Sequence, residues 1–109
     1  MVKMMSEIKT LKAYEDMLQK DGYKVVMFIS EWCPDCAYAD KYWPHFKTMY
    51  DGVSFYRVER EVLPSVAMDL NIYGVPGFVV YKNDRVTARY VDKFRKTFEQ
   101  VKAFLDSNV

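Results

Sequence analysis

Residues 25–36 read VVMFISEWCPDC and join a short apolar run to a pair of cysteines. Val25–Ile29 is continuous and rich in β-branched and aromatic side chains, the pattern of a strand covered on both faces of a parallel sheet, so we predict a central strand. Pro34 suits the first turn of a helix. We therefore predict a helix from Cys33 to about Tyr50, kinked where Pro44 lies inside it. The two cysteines then lie in the first turn of a helix that follows a buried strand.

The chain on either side of this segment alternates between helical and strand patterns. Apolar spacing, turn residues and capping signals predict a helix over 10–20, a strand over 53–58, a short helix from Pro64 to about 71–74, a hairpin of strands 78–82 and 85–91 with a half-exposed edge, and a last helix with a Thr97–Gln100 capping box. Met4, Met5 and Ile8 suggest a further short edge strand. This order predicts an α/β fold, with a central mixed β-sheet of four to five strands flanked by helices on both faces.

Size and composition limit the classes of function. The 109 residues, half of them hydrophobic and 17% aromatic, fit a single domain over 1–109 with one well-filled core. Sixteen basic against fifteen acidic residues leave a net charge of +1, which argues against a general nucleic-acid binder. The longest strongly apolar run, 25–29, is far shorter than the roughly 20 residues that a membrane-spanning helix needs. We expect neither nucleic acid nor membrane as a partner.

The N-terminal residues carry no recognisable export signal. Residues 1–10 contain Lys3, Glu7 and Lys9 without an apolar stretch of signal-peptide length. We therefore expect a cytoplasmic protein, although export after removal of a leader would leave the same sequence. We also expect a monomer without a cofactor.

Cys33 and Cys36 are the whole thiol inventory, so a multi-bridge disulfide framework is excluded. Positions i and i+3 at the start of a helix lie on one face, which permits the roughly 5.5 Å Cα separation of a disulfide. A loop this short contributes only about 2 kcal/mol in the chain-entropy model, so stabilisation is a weak explanation for the pair. Because a helix N-terminus favours a thiolate, we assign Cys33 as the nucleophile and Cys36, one turn deeper, as the resolving thiol.

Asp35 lies between the two cysteines and opposes the helix end. A carboxylate about 7 Å from the sulfur costs a thiolate roughly 0.6 kcal/mol in a water-like dielectric. A helix N-terminus returns about 0.3 to 1 kcal/mol. Because the two effects nearly cancel, we predict that Asp35 tunes Cys33 to moderate reactivity, which suits a reductant or a general exchanger.

The same residues have other interpretations. A C-x-x-C pair also forms half of a zinc site, and zinc normally needs four ligands. Beyond the two sulfurs the chain offers only His45 and carboxylates, so we favour redox chemistry over a metal site shared between chains or an inactive scaffold. We expect His45 to be a solvated side chain. Trp32 either packs against the end of the sheet or lies partly exposed beside the disulfide.

Trp32-Cys33-Pro34-Asp35-Cys36 after a buried strand, together with Gly74-Val75-Pro76 before the hairpin, resembles the thioredoxin family over nearly the whole chain. The ending FLDSN (104–108) is also thioredoxin-like. The resemblance implies the thioredoxin fold, a disulfide that cycles between Cys33 and Cys36, and a cis peptide bond before Pro76 that faces them. It also implies that the backbone of Val75 pairs with an extended substrate segment. Trp32, Pro34, Val75 and Pro76 would then form a small apolar substrate-binding platform of broad specificity.

Three positions depart from the family pattern. Met27 occupies the place of a buried Asp that is thought to accept the proton of the second cysteine, so we expect slow resolution by Cys36. Arg57 stands where the family often has a Lys, and without that Asp we expect a solvated strand residue. Lys41 replaces the family's helix-kinking Pro, and Pro44 moves the bend further along the helix.

These observations favour a cytosolic thiol-disulfide oxidoreductase that reduces protein or small-molecule disulfides through a mixed disulfide. A partner enzyme such as thioredoxin reductase would regenerate it. The alternative from another class is a non-catalytic thioredoxin-fold module whose apolar platform binds a protein. A third hypothesis is an oxidase or isomerase that works outside the cell.

Overall fold

The computed structural model describes residues 6–109, so Met4 and Met5 of the suggested edge strand lie outside the described residues. Ile8 lies directly after a two-residue strand and is buried. The elements are β1 Ser6–Glu7, α1 Leu11–Leu18, β2 Tyr23–Ile29, α2 Pro34–Phe46, β3 Val53–Glu59, α3 Pro64–Asp69, β4 Gly77–Lys82, β5 Arg85–Tyr90 and α4 Phe98–Asn108. The predicted alternation of helices and strands is confirmed, with β1 as the additional edge strand.

The strands form one mixed five-stranded sheet in the order β1-β3-β2-β4-β5. β2 lies at its centre, parallel to β3 and antiparallel to β4. β1 continues the parallel half, and β5 closes the antiparallel half as an edge strand. The predicted central strand and mixed sheet are therefore confirmed.

Side chains of β2 point alternately into two cores, one on each face of the sheet. Val26 and Phe28 belong to the cluster that includes residues of α1 and α3. Val25, Met27 and Ile29 belong to the cluster that includes residues of α2 and α4. Because β2 is covered on both faces, its carboxyl end is fixed, and the chain that leaves it carries the two cysteines.

Helix α2 is shorter than the sequence predicts, since it ends at Phe46 and not near Tyr50. Pro44 lies inside it, and the N–H groups of residues 47, 48 and 49 donate to carbonyls only three residues earlier. The proline cannot donate to the ladder, and the chain beyond it tightens into turns.

The hairpin at the other sheet edge contains a bulge. Val80 pairs with Ala88 but Tyr81 pairs with Val86, so the register of the two strands skips Thr87, whose hydroxyl donates to the carbonyl of Val80 at 3.4 Å. The predicted half-exposed edge is confirmed, although the bulge interrupts the simple alternation. The capping box at the start of α4 is also present, with Thr97 and Gln100 exchanging side-chain and backbone hydrogen bonds.

A buried lysine joins helix α1 to the β4–β5 turn. Lys24 lies in β2 and is 0% exposed, and its Nζ donates to the carbonyls of Met17 at 3.1 Å, Leu18 at 3.1 Å and Lys20 at 2.5 Å. It also donates to the carbonyl of Asn83. The carbonyls of Met17 and Leu18 lie at the C-terminus of α1, and that of Lys20 follows just beyond it. Carbonyls at a helix C-terminus lack backbone donors and interact favourably with a cation. Burial lowers the pKa of Lys24. The four carbonyl acceptors around its Nζ suit the donors of an ammonium group.

We expect Lys24→Met to lower the free energy of unfolding by about 2 to 4 kcal/mol, because the carbonyls lose their donor inside the protein. Urea unfolding followed by circular dichroism measures the change. Lys12→Met is the control, since the Lys12 side chain is 84% exposed in a surface pair with Asp16 and its loss is expected to cost about 0.5 kcal/mol or less. Equal stabilities of the two variants would contradict the structural role of Lys24.

Candidate active site

The two cysteines occupy different environments at the start of α2. Cys33 is the N-cap residue and is half-buried, whereas Cys36 is 2% exposed. The N–H of Cys36 donates to Sγ of Cys33 at 3.2 Å, and both residues are free thiols. The outer and inner positions expected for the nucleophile and its resolving partner are the positions that the structure shows.

A cis Val75–Pro76 bond lies opposite Cys33, as the family resemblance implied. Sγ of Cys33 donates to the carbonyl of Val75 over 3.7 Å. Gly74 holds this loop against the segment after β5, because a Cβ at position 74 would lie only 2.1 Å from the carbonyl oxygen of Asp92. The turn before Pro76 therefore requires glycine for close approach.

Of the four residues predicted to bind substrate, Trp32 and Pro34 flank Cys33 in the chain and Val75 contacts its sulfur through its carbonyl, but the four are not equally accessible. Trp32 is 88% exposed and Pro34 is also exposed. Val75 is half-buried and Pro76 is buried, so Pro76 offers little surface of its own. Trp32 therefore lies exposed beside the thiols and is not packed against the sheet end.

Burial keeps Cys36 in its thiol form. Desolvation is the main cause that raises the pKa of Cys36 to about 12, followed by its hydrogen bond with Cys33, with a smaller contribution from the charge of Asp40. Met27, fully buried in the same cluster, adds apolar surroundings and no carboxylate. At neutral pH the inner sulfur therefore carries a proton.

Asp35 is bound by an arginine that the sequence analysis missed. Nε of Arg95 donates to Oδ1 of Asp35 at 2.8 Å, and the guanidinium carbon lies 4.7 Å from the ring centroid of Tyr38. The hydrogen bond to Asp35 raises the pKa of Arg95. Arg95 follows β5 and lies far from the cysteines in sequence, so no spacing pattern could have linked it to them.

The expectation that Arg57 is merely solvated is wrong. Arg57 donates to both carboxylate oxygens of Asp40, at 2.8 and 3.0 Å, and to Glu7 at 2.6 Å. The hydrogen bond that Arg57 donates to Asp40 is the largest cause that raises the pKa of Arg57. Arg57 pairs across the sheet with Met27, and Asp40 lies one turn after Cys36 on α2. An ion pair therefore lies close to the position where the family has its buried acid.

The remaining candidate features are peripheral. His45 is exposed near the end of α2, as predicted. Within residues 6–109, no group of three or more His, Cys, Asp or Glu side chains is arranged to hold a metal ion. In the same range, no helix has the length and apolar character needed to cross a membrane. An open groove of about 520 Å³ lies on the α3 side and is lined in part by Met68, Ile72 and Tyr73, without either cysteine.

A helix-capping thiol over a buried second thiol, opposite a cis proline in a mixed sheet, defines a dithiol protein of the thioredoxin-fold class. The thioredoxin family model matches residues 5–107, and the chain belongs to the thioredoxin family. Thioredoxins as a family are thiol-disulfide oxidoreductases.

Individual relatives are distant. The chain is 25% identical over 88 residues to thioredoxin-1 of Saccharomyces cerevisiae, covering 81% of this chain and 85% of that protein. It is 28% identical over 108 residues to thioredoxin domain-containing protein 2 of Rattus norvegicus, covering 91% of this chain but only 19% of the rat protein. The structure of Plasmodium falciparum thioredoxin superposes with a TM-score of 0.85 at 18% identity, covering 96% of this chain and all of that chain, which shows the shared fold.

The raised pKa of Cys36 predicts unequal alkylation of the two sulfurs. In a Cys33→Ser variant we expect iodoacetamide to modify Cys36 at least about 100-fold more slowly at pH 8 than a free cysteine, whose pKa is about 8.5. The rate rises only as pH approaches about 12. Mass spectrometry against pH measures it, with Cys36→Ser as the control that leaves the outer thiol. A midpoint for Cys36 below about pH 10 would contradict its burial as the cause.

The absence of an acid at position 27 predicts the effect of restoring one. We expect Met27→Asp to raise the rate of the resolving step near neutral pH, because the new carboxylate would lie in the buried cluster that contains Cys36 and opposite Arg57 in the sheet. Stopped-flow decay of a mixed disulfide measures that step, and Met27→Leu is the apolar control. The buried charge is also expected to lower the free energy of unfolding, so stability is measured separately. An unchanged or slower rate in a folded Met27→Asp protein would refute the missing-acid hypothesis.

Proposed function

We propose that this protein is a thiol-disulfide oxidoreductase that reduces protein or small-molecule disulfides with the Cys33–Cys36 pair. The observation that carries the proposal is the asymmetry of the pair. Sγ of Cys33 is accessible at a helix N-terminus and accepts the N–H of Cys36, whereas the second thiol is buried directly behind it. A stabilising disulfide would not need one half-buried sulfur at a helix N-terminus and a second sulfur buried behind it as a thiol.

The reaction proceeds in two exchange steps. The Cys33 thiolate attacks one sulfur of the substrate disulfide, a bond forms between enzyme and substrate, and the other substrate sulfur leaves and takes a proton. Cys36 then loses its proton and attacks Cys33, which breaks the mixed disulfide and releases the second substrate thiol. The enzyme pair is oxidised by two electrons, and the substrate disulfide is reduced by two electrons to two thiols.

The surface around Cys33 supports broad recognition of protein substrates. Trp32 and Pro34 offer an open apolar surface, and the carbonyl of Val75 faces the sulfur. An extended substrate segment would pair with the backbone of Val75 beside the supporting Pro76, as in strand addition. Backbone pairing reads little sequence, so many disulfide-containing partners fit the same surface.

The cellular setting completes the proposal. The chain acts as a single domain over 1–109 and as a monomer in the cytoplasm, and a reductase such as thioredoxin reductase returns its electrons. Asp35, together with the Arg95 that binds it, sets the charge beside the outer thiol, and neither a metal nor another cofactor takes part. A dithiol with a reduction potential of about −270 mV reduces substrates under these conditions, whereas one of about −120 mV oxidises them.

Reduction of insulin with dithiothreitol as the donor tests the activity. We expect turbidity from the reduced insulin B chain with the wild type, no catalysis with Cys33→Ser, and a trapped mixed disulfide with Cys36→Ser. The Lys12→Met variant serves as a control away from the site. If the wild type binds insulin but does not reduce it, the protein is a binding module. A reduction potential of about −120 mV, measured by equilibration with glutathione, would indicate an oxidase or isomerase instead.

A further inference from the structure

Arg95 connects the loop after β5 to the first turn of α2. It binds Asp35 at 2.8 Å, and its guanidinium lies over the ring of Tyr38, so it contacts two successive turns of the helix. The side chains of Arg95 and Asp35 are 55% and 31% exposed. Asp35 lies two positions after Cys33, and the pair is therefore part of the immediate charge environment of the nucleophile.

The loop that carries Arg95 is held firmly. Nζ of Lys96, which is 1% exposed, contacts Oδ1 of Asp92 at 2.8 Å and donates to the carbonyls of Asp92 and Phe94 at 3.2 and 2.9 Å. The hydroxyl of Tyr42 on α2 donates to the carbonyl of Lys96 at 2.7 Å. Arg95 thus projects from a backbone fixed on both sides, and its position over Asp35 is preorganised.

We propose that Arg95 is a positioning residue for thiol exchange, which binds the Asp35 carboxylate and so preserves the reactivity of Cys33. The catalytic meaning of this inference rests on the proposed function. Without the arginine, an uncompensated negative charge would lie beside the sulfur that must become a thiolate. With it, the motif carries an acid between its cysteines at little cost to the nucleophile.

Other charged groups near the site already have partners or lie in solvent. Asp92 is bound by Lys96, Asp40 by Arg57, and Glu61 by Arg60. Cys36 is buried as a thiol, while Glu31 and Lys93 are exposed. Asp35 is therefore the carboxylate through which Arg95 acts on Cys33.

Alkylation of Cys33 against pH in the Cys36→Ser background tests the proposal without requiring turnover. A unit charge about 7 Å away in a water-like dielectric shifts a titration by about 0.4 pH unit. We expect Arg95→Gln to raise the alkylation midpoint by about that amount and Asp35→Asn to lower it. The double variant returns to within about 0.1 pH unit of the parent, and Arg95→Lys retains part of the effect.

Lys93→Gln is the matched control, because it removes the same charge from the same loop and Lys93 is exposed. We expect it to leave the midpoint unchanged, and we expect 0.5 M salt to shrink the differences among the Asp35 and Arg95 variants. An Arg95→Gln midpoint equal to the parent's, an equal shift in Lys93→Gln, or a double variant that stays at the Arg95→Gln value would each overturn the proposal.

Failure of this inference is distinguishable from failure of the proposed function. Midpoints that follow the expected order together with absent insulin reduction would support the role of Arg95 in thiol reactivity and refute the oxidoreductase. Insulin reduction together with equal alkylation midpoints for the parent, Arg95→Gln, Asp35→Asn and the double variant would refute the role of Arg95 alone. In the active protein, Arg95→Gln is expected to slow the first exchange step about 1.6-fold below the midpoint pH, because the higher nucleophilicity of the more basic thiolate offsets part of its lower population, with the second step unchanged.

Discussion

The junction between strand β2 and helix α2 governs the chemistry of this protein. β2 is buried on both faces and ends at Ile29, and Pro34 begins α2 a short turn later. The first N–H groups of a helix lack backbone partners, and an N-cap side chain normally supplies an oxygen acceptor. Here the sulfur of Cys33 accepts the N–H of Cys36 instead. One contact therefore caps the helix and holds the outer sulfur beside the inner cysteine.

The packing behind that junction keeps the geometry of the two sulfurs constant. Trp43 and Phe46 anchor α2 in the core, and the indole of Trp43 donates to the carbonyl of Tyr56 on β3 at 3.2 Å. Close-packed protein interiors have low compressibility, so such contacts hold the helix in place. The same apolar layer raises the pKa of Cys36, so core packing sets both the position and the protonation of the inner thiol. The same packing therefore stabilises the fold and sets the reactivity of the inner thiol.

Local patterns in the sequence predicted the elements well, because hydrophobic period, proline position and capping residues act over a few neighbours. The central strand, the hairpin, the Thr97–Gln100 capping box and the outer and inner cysteines all follow from such signals. The end of α2 was misplaced, since turns after Pro44 compete with further helix. Ion pairs were missed or misjudged: Arg95 with Asp35 and Arg57 with Asp40 join distant segments, and only the register of the sheet and the packing of the helices bring them together.

Those two ion pairs compensate two acidic side chains of helix α2. Asp35 and Asp40 both belong to α2, and each is bound by an arginine from another element. The helix thus presents acids at both cysteines while its local charge is largely compensated, in keeping with a net charge of +1 for the whole chain. Weak net fields steer charged partners little. Under the proposed function, selection of substrates then rests on the exposed ring of Trp32 and the backbone at Val75, neither of which distinguishes partners by charge.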